Sequence, residues 1–214
     1  MSCLQRLRIV VVLVELLTLQ AFATGAKFAS EPTSGSSDSG DYFEVSPAIA
    51  APGQFIEFSW HVDNATSFSV TPSLAGEDGI PLPGTLAHYS RVAPAANVTF
   101  QGIGSIAAGG VSQPLTAALT VIPMRLTAST TVVAAGQRLT LTYAGPNNGS
   151  SFFLTTLPEN STVPLNPDSC SGSVCTGSYL TGPLGSNKTF MVGATGPHNG
   201  QAYSQQIAIS VIGG

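Results

Sequence analysis

The chain has 214 residues, carries 7 Lys and Arg against 11 Asp and Glu, and has only 8% charged residues. A formal net charge of −4 excludes the basic footprint that nucleic-acid binding requires. With 23 Gly, 15 Pro and many Ser and Thr, long helices are disfavoured and β structure is expected, its surface covered largely by uncharged polar side chains.

Residues 1–23 read as a secretory signal. Arg6 and Arg8 form a short basic stretch, the apolar run from Ile9 to Leu19 follows, and Ala21-Phe22-Ala23 has the small-x-small form of a cleavage site. As a membrane anchor the run is too short for about 30 Å of hydrocarbon, and Glu15 would be costly at the bilayer centre. Cys3 precedes the run, so it offers no lipid attachment at the cleavage point. Removing this segment leaves five basic and ten acidic residues. Residues 24–41, rich in Ser, Gly and Asp and without apolar periodicity, read as a flexible linker.

From Phe43 the pattern changes to strands. After the Pro52-Gly53 turn, Ile56, Phe58 and Trp60 alternate with Glu57 and Ser59, as a strand with one face in a core requires. Strands are expected near Phe43 to Ala48, Phe55 to Val62, Ser67 to Thr71, Leu86 to Val92, Val98 to Gly102 and Leu115 to Ile122, with Gly- and Pro-rich turns between Gly76 and Gly84. Phe68 and Val70 are expected to face inward, and Leu115, Ala117, Leu119 and Val121 share one side of the last strand.

The arrangement then returns. Gly136-Gln137-Arg138-Leu139-Thr140-Leu141-Thr142-Tyr143 repeats the layout of Gly53 to Trp60 at a displacement of 83 positions. Tyr89 and Tyr179, Phe100 and Phe190, and Val121 and Val211 pair at a displacement of 90. The difference falls between Tyr143 and Tyr179 and reads as an insertion in a repeated unit, stapled near Cys170. Further strands are expected near Leu126 to Thr131, Arg138 to Tyr143, Ser151 to Thr155, Gly177 to Thr181, Thr189 to Ala194 and Gln205 to Val211. Many short strands with frequent turns describe sandwiches rather than a parallel α/β sheet. The expected organisation is one domain over 42–123 and a second over 124–214 with an inserted Cys loop, breaking near Pro123-Met124. Tyr89 and Tyr179 should take matching places.

The run Pro52-Gly53-Gln54-Phe55-Ile56-Glu57-Phe58-Ser59-Trp60-His61-Val62, with Asn64-Ala65-Thr66-Ser67-Phe68-Ser69-Val70 behind it, resembles the second and third strands of immunoglobulin-like repeats in bacterial secreted and cell-surface proteins. The second unit resembles them more weakly, with Tyr143 in place of the tryptophan and an Asn- and Gly-rich turn from Gly145 to Ser150. The resemblance spans about residues 43 to 212 and implies tandem immunoglobulin-like or fibronectin-III-like β-sandwiches. It implies a spacer, adhesive or accessory module and carries no catalytic residues. Antibody-type domains match poorly, because they place a tryptophan on the third strand beside an inter-sheet disulfide.

Cys170 and Cys175 are the cysteines left after signal removal. Their spacing and an oxidising compartment favour a local disulfide, worth about 2 kcal/mol in the chain-entropy picture. The rival, metal binding, is weak, since two thiols are half a tetrahedral zinc site and no histidine lies near them in sequence. Five N-x-[ST] acceptors begin at Asn64, Asn97, Asn148, Asn160 and Asn187, at turns that would expose them to a glycosylating host. The bacterial resemblance implies that most stay unmodified.

Catalysis needs convergent groups, and the histidines are His61, His88 and His198. His61 and His88 should point outward by alternation, and His198 sits in the turn Gly196-Pro197-His198-Asn199-Gly200. No H-E-x-x-H, G-x-S-x-G or P-loop is present, and Gly102-Ile103-Gly104 lacks the helix a dinucleotide site needs. Asp63 and Asn64, with Glu77 and Asp78, form a weak calcium candidate that is read as turn chemistry instead. The expectation is a secreted, non-enzymatic structural, spacer or adhesive protein without cofactor or metal, whose partner is an unknown extracellular protein or glycan. The alternative is a carbohydrate- or peptide-binding module, with an extracellular enzyme ranked third. A glycan site would need an exposed aromatic platform; Trp60 is assigned to the core, while Phe152, Phe153, Tyr179 and Tyr203 are not all inward by pattern. After signal removal no apolar stretch is long enough to span a bilayer, so a soluble extracellular, periplasmic or cell-surface-associated protein is expected.

Overall fold

Ile56, Phe58 and Trp60 are at most 1% exposed while Phe55 beside them is 43% exposed in a computed structural model that describes residues 40–72, 82–83 and 86–213. The signal at 1–23, the linker up to residue 39, and Glu77 and Asp78 lie outside the described residues. The first half carries β1 (Tyr42–Ser46), β2 (Ile49–Ala50), β3 (Phe55–His61), β4 (Ala65–Thr71), β5 (Leu82–Pro83), β6 (Leu86–Val92), β7 (Val98–Ile106) and β8 (Leu115–Val121). They form one sheet in the order β1-β3-β6 and a second in the order β2-β8-β7-β4-β5.

The two sheets close on an aromatic core. The Phe43 and Phe68 ring centroids lie 5.3 Å apart, Phe58 and Phe100 4.8 Å, and Trp60 and Phe68 5.3 Å. Each pair joins a strand of one sheet to a strand of the other, so burial of these rings holds the layers face to face. Val70 is partly buried against the same core. Gly102-Ile103-Gly104 is simply the middle of β7.

The second half carries β9 (Arg125–Ala128), β10 (Val132–Ala134), β11 (Thr140–Pro146), β12 (Ser151–Leu157), β13 (Ser161–Leu165), β14 (Ser169–Ser171), β15 (Val174–Leu180), β16 (Lys188–Thr195), β17 (Gln201–Tyr203) and β18 (Ile207–Ile212). The sheets are β14-β15-β11-β9 and β10-β18-β16-β12-β13, with β17 paired to β16. Leu141, Tyr143 and Cys175 from the first meet Phe152, Leu154, Phe190, Val192 and Ile209 from the second in a separate core. Tyr143 is 1% exposed, and its hydroxyl is buried without a hydrogen-bond partner. Burial, and secondarily the charge of Asp168, push its pKa above the usual tyrosine value.

Contacts recur between the halves. Gly53 and Gly136 both hold left-handed φ angles, 93° and 80°, which only glycine adopts without steric cost. Behind them Ala93 N–H donates to Gln54 O at 2.7 Å, and Leu184 N–H donates to Gln137 O at 2.9 Å. Tyr89 lies opposite Phe58, and Tyr179 lies opposite Leu141. Asn97 Oδ1 accepts from Val121 N–H and Asn187 Oδ1 from Val211 N–H, each at 2.7 Å. Ser112 Oγ accepts from Gly104 N–H at 2.9 Å and Ser204 Oγ from Val192 N–H at 3.1 Å.

Several elements differ from the sequence expectation. The inserted Cys loop, expected between the strands at Ser151 to Thr155 and Gly177 to Thr181, contains the strands β13 and β14; their Ser, Thr and Pro content hides the alternation that buries Leu165. β2 and β10 are too short to show a period, yet each pairs in parallel with the last strand of its half. The expected strand Gln205 to Val211 instead starts at Ile207 and runs to Ile212; just before it, Ser204 Oγ takes the Val192 N–H and donates to Gln205 O. Strands expected from Arg138 and up to Thr131 instead start at Thr140 and end at Ala128.

Cys170 and Cys175 are bonded and directly opposite each other across the β14 and β15 hairpin. The loop they close is short, so the Cys170→Ser, Cys175→Ser double variant should lose no more than about 2 kcal/mol. Thermal unfolding of the double variant beside the oxidised chain checks this.

Candidate functional site

β12 and β16 each bury one face and turn the other outward. Phe152 and Leu154 enter the core, which leaves Ser151, Phe153 and Thr155 on the outer side. Register then assembles a row from four strands: Phe153 lies opposite Pro164 on β13 and Gly193 on β16, and Gly193 lies opposite Tyr203 on β17. Phe153 leans across the sheet over Gly193, where a Cβ would stand 2.2 Å from its Cζ, so a residue without a side chain is required there. Tyr203 meets Phe153 edge to face at 5.8 Å and 79° and remains 47% exposed.

The rows on either side are polar or apolar and uncharged. Thr155 lies opposite Met191 and Thr162, with 3.4 Å between the two threonine hydroxyls. Ser151 lies opposite Thr195, which lies opposite Gln201. Gln201 Oε1 accepts from the Tyr203 hydroxyl and orients that ring's polar end. These residues line an open depression of about 580 Å³. Tyr203 also lines a second depression on its other side, with Arg125, Pro52 and Leu126.

The polar end of this face abuts a joint between the two cores. Gln54 is fully buried. Its Oε1 accepts from Ala51 N–H at 2.9 Å and from Asn148 Nδ2 at 3.1 Å, and its Nε2 donates to Ser150 Oγ at 2.9 Å. Asn148 Nδ2 also donates to Ile49 O at 2.8 Å, and Ala51 packs into the second core. The turn 196–200 lies against the same segment: a Cβ on Gly200 would fall 1.9 Å from Phe55 N.

This geometry sorts the N-x-[ST] motifs. Asn64, Asn97, Asn160 and Asn187 are exposed, and in Asn97 and Asn187 the bonded atom is Oδ1, not the nitrogen that carries a glycan. Asn148 instead spends that nitrogen on Ile49 and Gln54. Secreted from a host that attaches N-glycans, the chain should be modified at the four exposed motifs and left bare at Asn148. Glycopeptide mass spectrometry reads the occupancy of each.

His61 Nε2 is 2.9 Å from Asp63 Oδ1, and Asp63 N–H donates to Asp41 Oδ1 at 2.8 Å. Asn64 holds φ at 58° in the turn after β3. His88 and His198 flank Glu57, with their Nδ1 atoms 3.3 Å and 3.8 Å from its carboxylate. Among the described residues no group of three or more His, Cys, Asp or Glu is placed to hold a metal ion. Trp60 and Phe152 are core, Tyr179 packs partly against the core, and of these candidate aromatics Phe153 and Tyr203 are the two turned outward. Gln54 carried no functional signal in the sequence, and Asn148 only its N-x-[ST] motif and turn context.

The fold defines an all-β chain in which β1-β3-β6 faces β2-β8-β7-β4-β5 and β14-β15-β11-β9 faces β10-β18-β16-β12-β13, the two-layer arrangement of immunoglobulin-like sandwiches. The chain is similar to a solved structure described as the human OSCAR ligand-binding domain, with 18% identity, coverage of 79% of this chain and 97% of that one, and a TM-score of 0.37. No family model matches the chain, and no curated protein matches it. No helix among the described residues is long and apolar enough to cross a membrane.

Proposed function

We propose that the chain is a secreted, non-catalytic binding module of adhesive or spacer type, built as two tandem immunoglobulin-like domains, 42–123 and 124–214, that meet at the Gln54 joint. The observation that carries this reading is the uncharged row Pro164, Phe153, Gly193 and Tyr203 on the outer face of the second core. An exposed aromatic pair set in a sheet whose other face is packed supports an interaction surface, because water-exposed apolar area gains from being covered. The recurring turn, tyrosine and asparagine contacts support duplication of one domain. The disulfide is consistent with export to an oxidising compartment, and signal removal after Ala23 is read by the mass of the chain recovered outside the cell.

The test is surface binding. Fluorescent full-length chain is added to the cells that secrete it, beside the Phe153→Ser, Tyr203→Ser double variant and the Gln137→Ala control. The expected result is saturable binding that weakens about tenfold or more, or at least 1.4 kcal/mol, in the double variant alone. Absence of binding, or equal binding by all three proteins, rejects the reading.

A further inference from the structure

We infer that the outer face of β13, β12, β16 and β17 takes an uncharged oligosaccharide segment of a polysaccharide; this rests on the binding-face reading above. Three observations select the chemistry. None of the side chains in the row Pro164, Phe153, Gly193, Tyr203 or in the rows flanking it is charged. An anionic glycan or acidic peptide would find no Arg or Lys within these rows, Arg125 lying in the depression on the other side of Tyr203, and a cationic polymer no carboxylate. A neutral ligand is the electrostatic match.

The rings provide the second observation. Phe153 and Tyr203 meet at 79° with their centroids 5.8 Å apart, so they close on each other and leave no slot between parallel plates for a proline ring, as polyproline recognition uses. They present instead a continuous aromatic ridge against which the apolar C–H faces of a sugar can lie. Thirdly, hydroxyl and amide groups flank the ridge, Thr162 on one side and Ser151 and Gln201 on the other. These supply donors and acceptors for the equatorial hydroxyls that ring a pyranose. With neighbouring strands about 4.8 Å apart, the four-strand row is about 14 Å long, the reach of a short oligosaccharide.

Affinity electrophoresis of the full chain tests this, with gels containing neutral β-glucan, mannan or galactan, anionic polygalacturonate or cationic chitosan. A Pro-Pro-Gly repeat peptide is offered separately by fluorescence anisotropy. At least one neutral polysaccharide should retard the chain with little dependence on salt, and Tyr203→Ser should weaken that retardation about tenfold while Tyr203→Trp retains it. Tyr203 is exposed, and an unchanged far-ultraviolet circular-dichroism spectrum with an unchanged calorimetric unfolding transition confirms that each variant is folded. Retardation by no neutral polysaccharide, by charged polymers only, or equally by Tyr203→Ser overturns the inference. Binding of the peptide alone, lost in Tyr203→Ser, also overturns it but leaves the binding-face reading standing.

Discussion

Gln54→Ala should destabilise the first sandwich by about 2–3 kcal/mol, while the same change at Gln137 should stay within about 0.5 kcal/mol. The two glutamines occupy corresponding places after left-handed glycines, and both main-chain carbonyls accept from the same kind of partner. Only Gln54 is buried; Gln137 is exposed. Truncating Gln54 strips the Ala51 N–H of its acceptor and removes partners from Asn148 and Ser150, and buried polar groups left unpaired are more costly than the net worth of the bonds themselves. The chain has one tryptophan, buried in the first core, so urea titration followed by Trp60 fluorescence reads that sandwich directly. Similar losses at the two positions would show that the joint adds nothing to stability.

Trp60→Ala should cost about 3–5 kcal/mol, and Tyr143→Phe at the corresponding place in the second core should have the opposite sign, a gain of about 1 kcal/mol. Trp60 fills the first core against Phe68 at 5.3 Å, so its loss leaves a cavity bounded by packed sheets. Tyr143 fills the second core with a hydroxyl that has no hydrogen-bond partner; phenylalanine keeps the ring contact with Phe152 and removes the desolvated group. The pH dependence follows. Because the folded pKa of Tyr143 is raised by burial and then by Asp168, its neutral form is favoured in the native state, and the linked stability is fully present below the unfolded tyrosine value of about 10. It is lost as pH rises from there towards the folded pKa. Tyr143→Phe should therefore flatten the alkaline limb of the stability profile. Differential scanning calorimetry of both variants between neutral and alkaline pH measures the two signs together.

The main strands and their inward residues were legible because a half-buried strand imposes a period of two on its own sequence. Ile56, Phe58 and Trp60, or Leu115 to Val121, announce their faces without help from any neighbour. The Cys170 and Cys175 pair was legible for the same reason, since five residues of separation make the contact local. β2, β10, β13 and β14 were not, because strands of two to five residues are too short to show a period, and the Ser, Thr or Pro in β13 and β14 masks it further; all four are held by the sheet they join and not by their own pattern.

What the sequence determined by itself is thus a charge-poor chain of alternating strands in two similar stretches, with a local disulfide. Tertiary structure alone decided which copy of a repeated feature does something different. Gln54 and Gln137 share a local pattern but have opposite burial, because only the first faces Asn148 and Ser150 across the joint. The aromatic ridge likewise joins Phe153 and Pro164 to Gly193 and Tyr203 through the pairing of β12 with β16, strands that are distant in sequence. Alternation states which side of its own strand a residue takes, but hydrogen-bonded register between distant strands states which residues stand together.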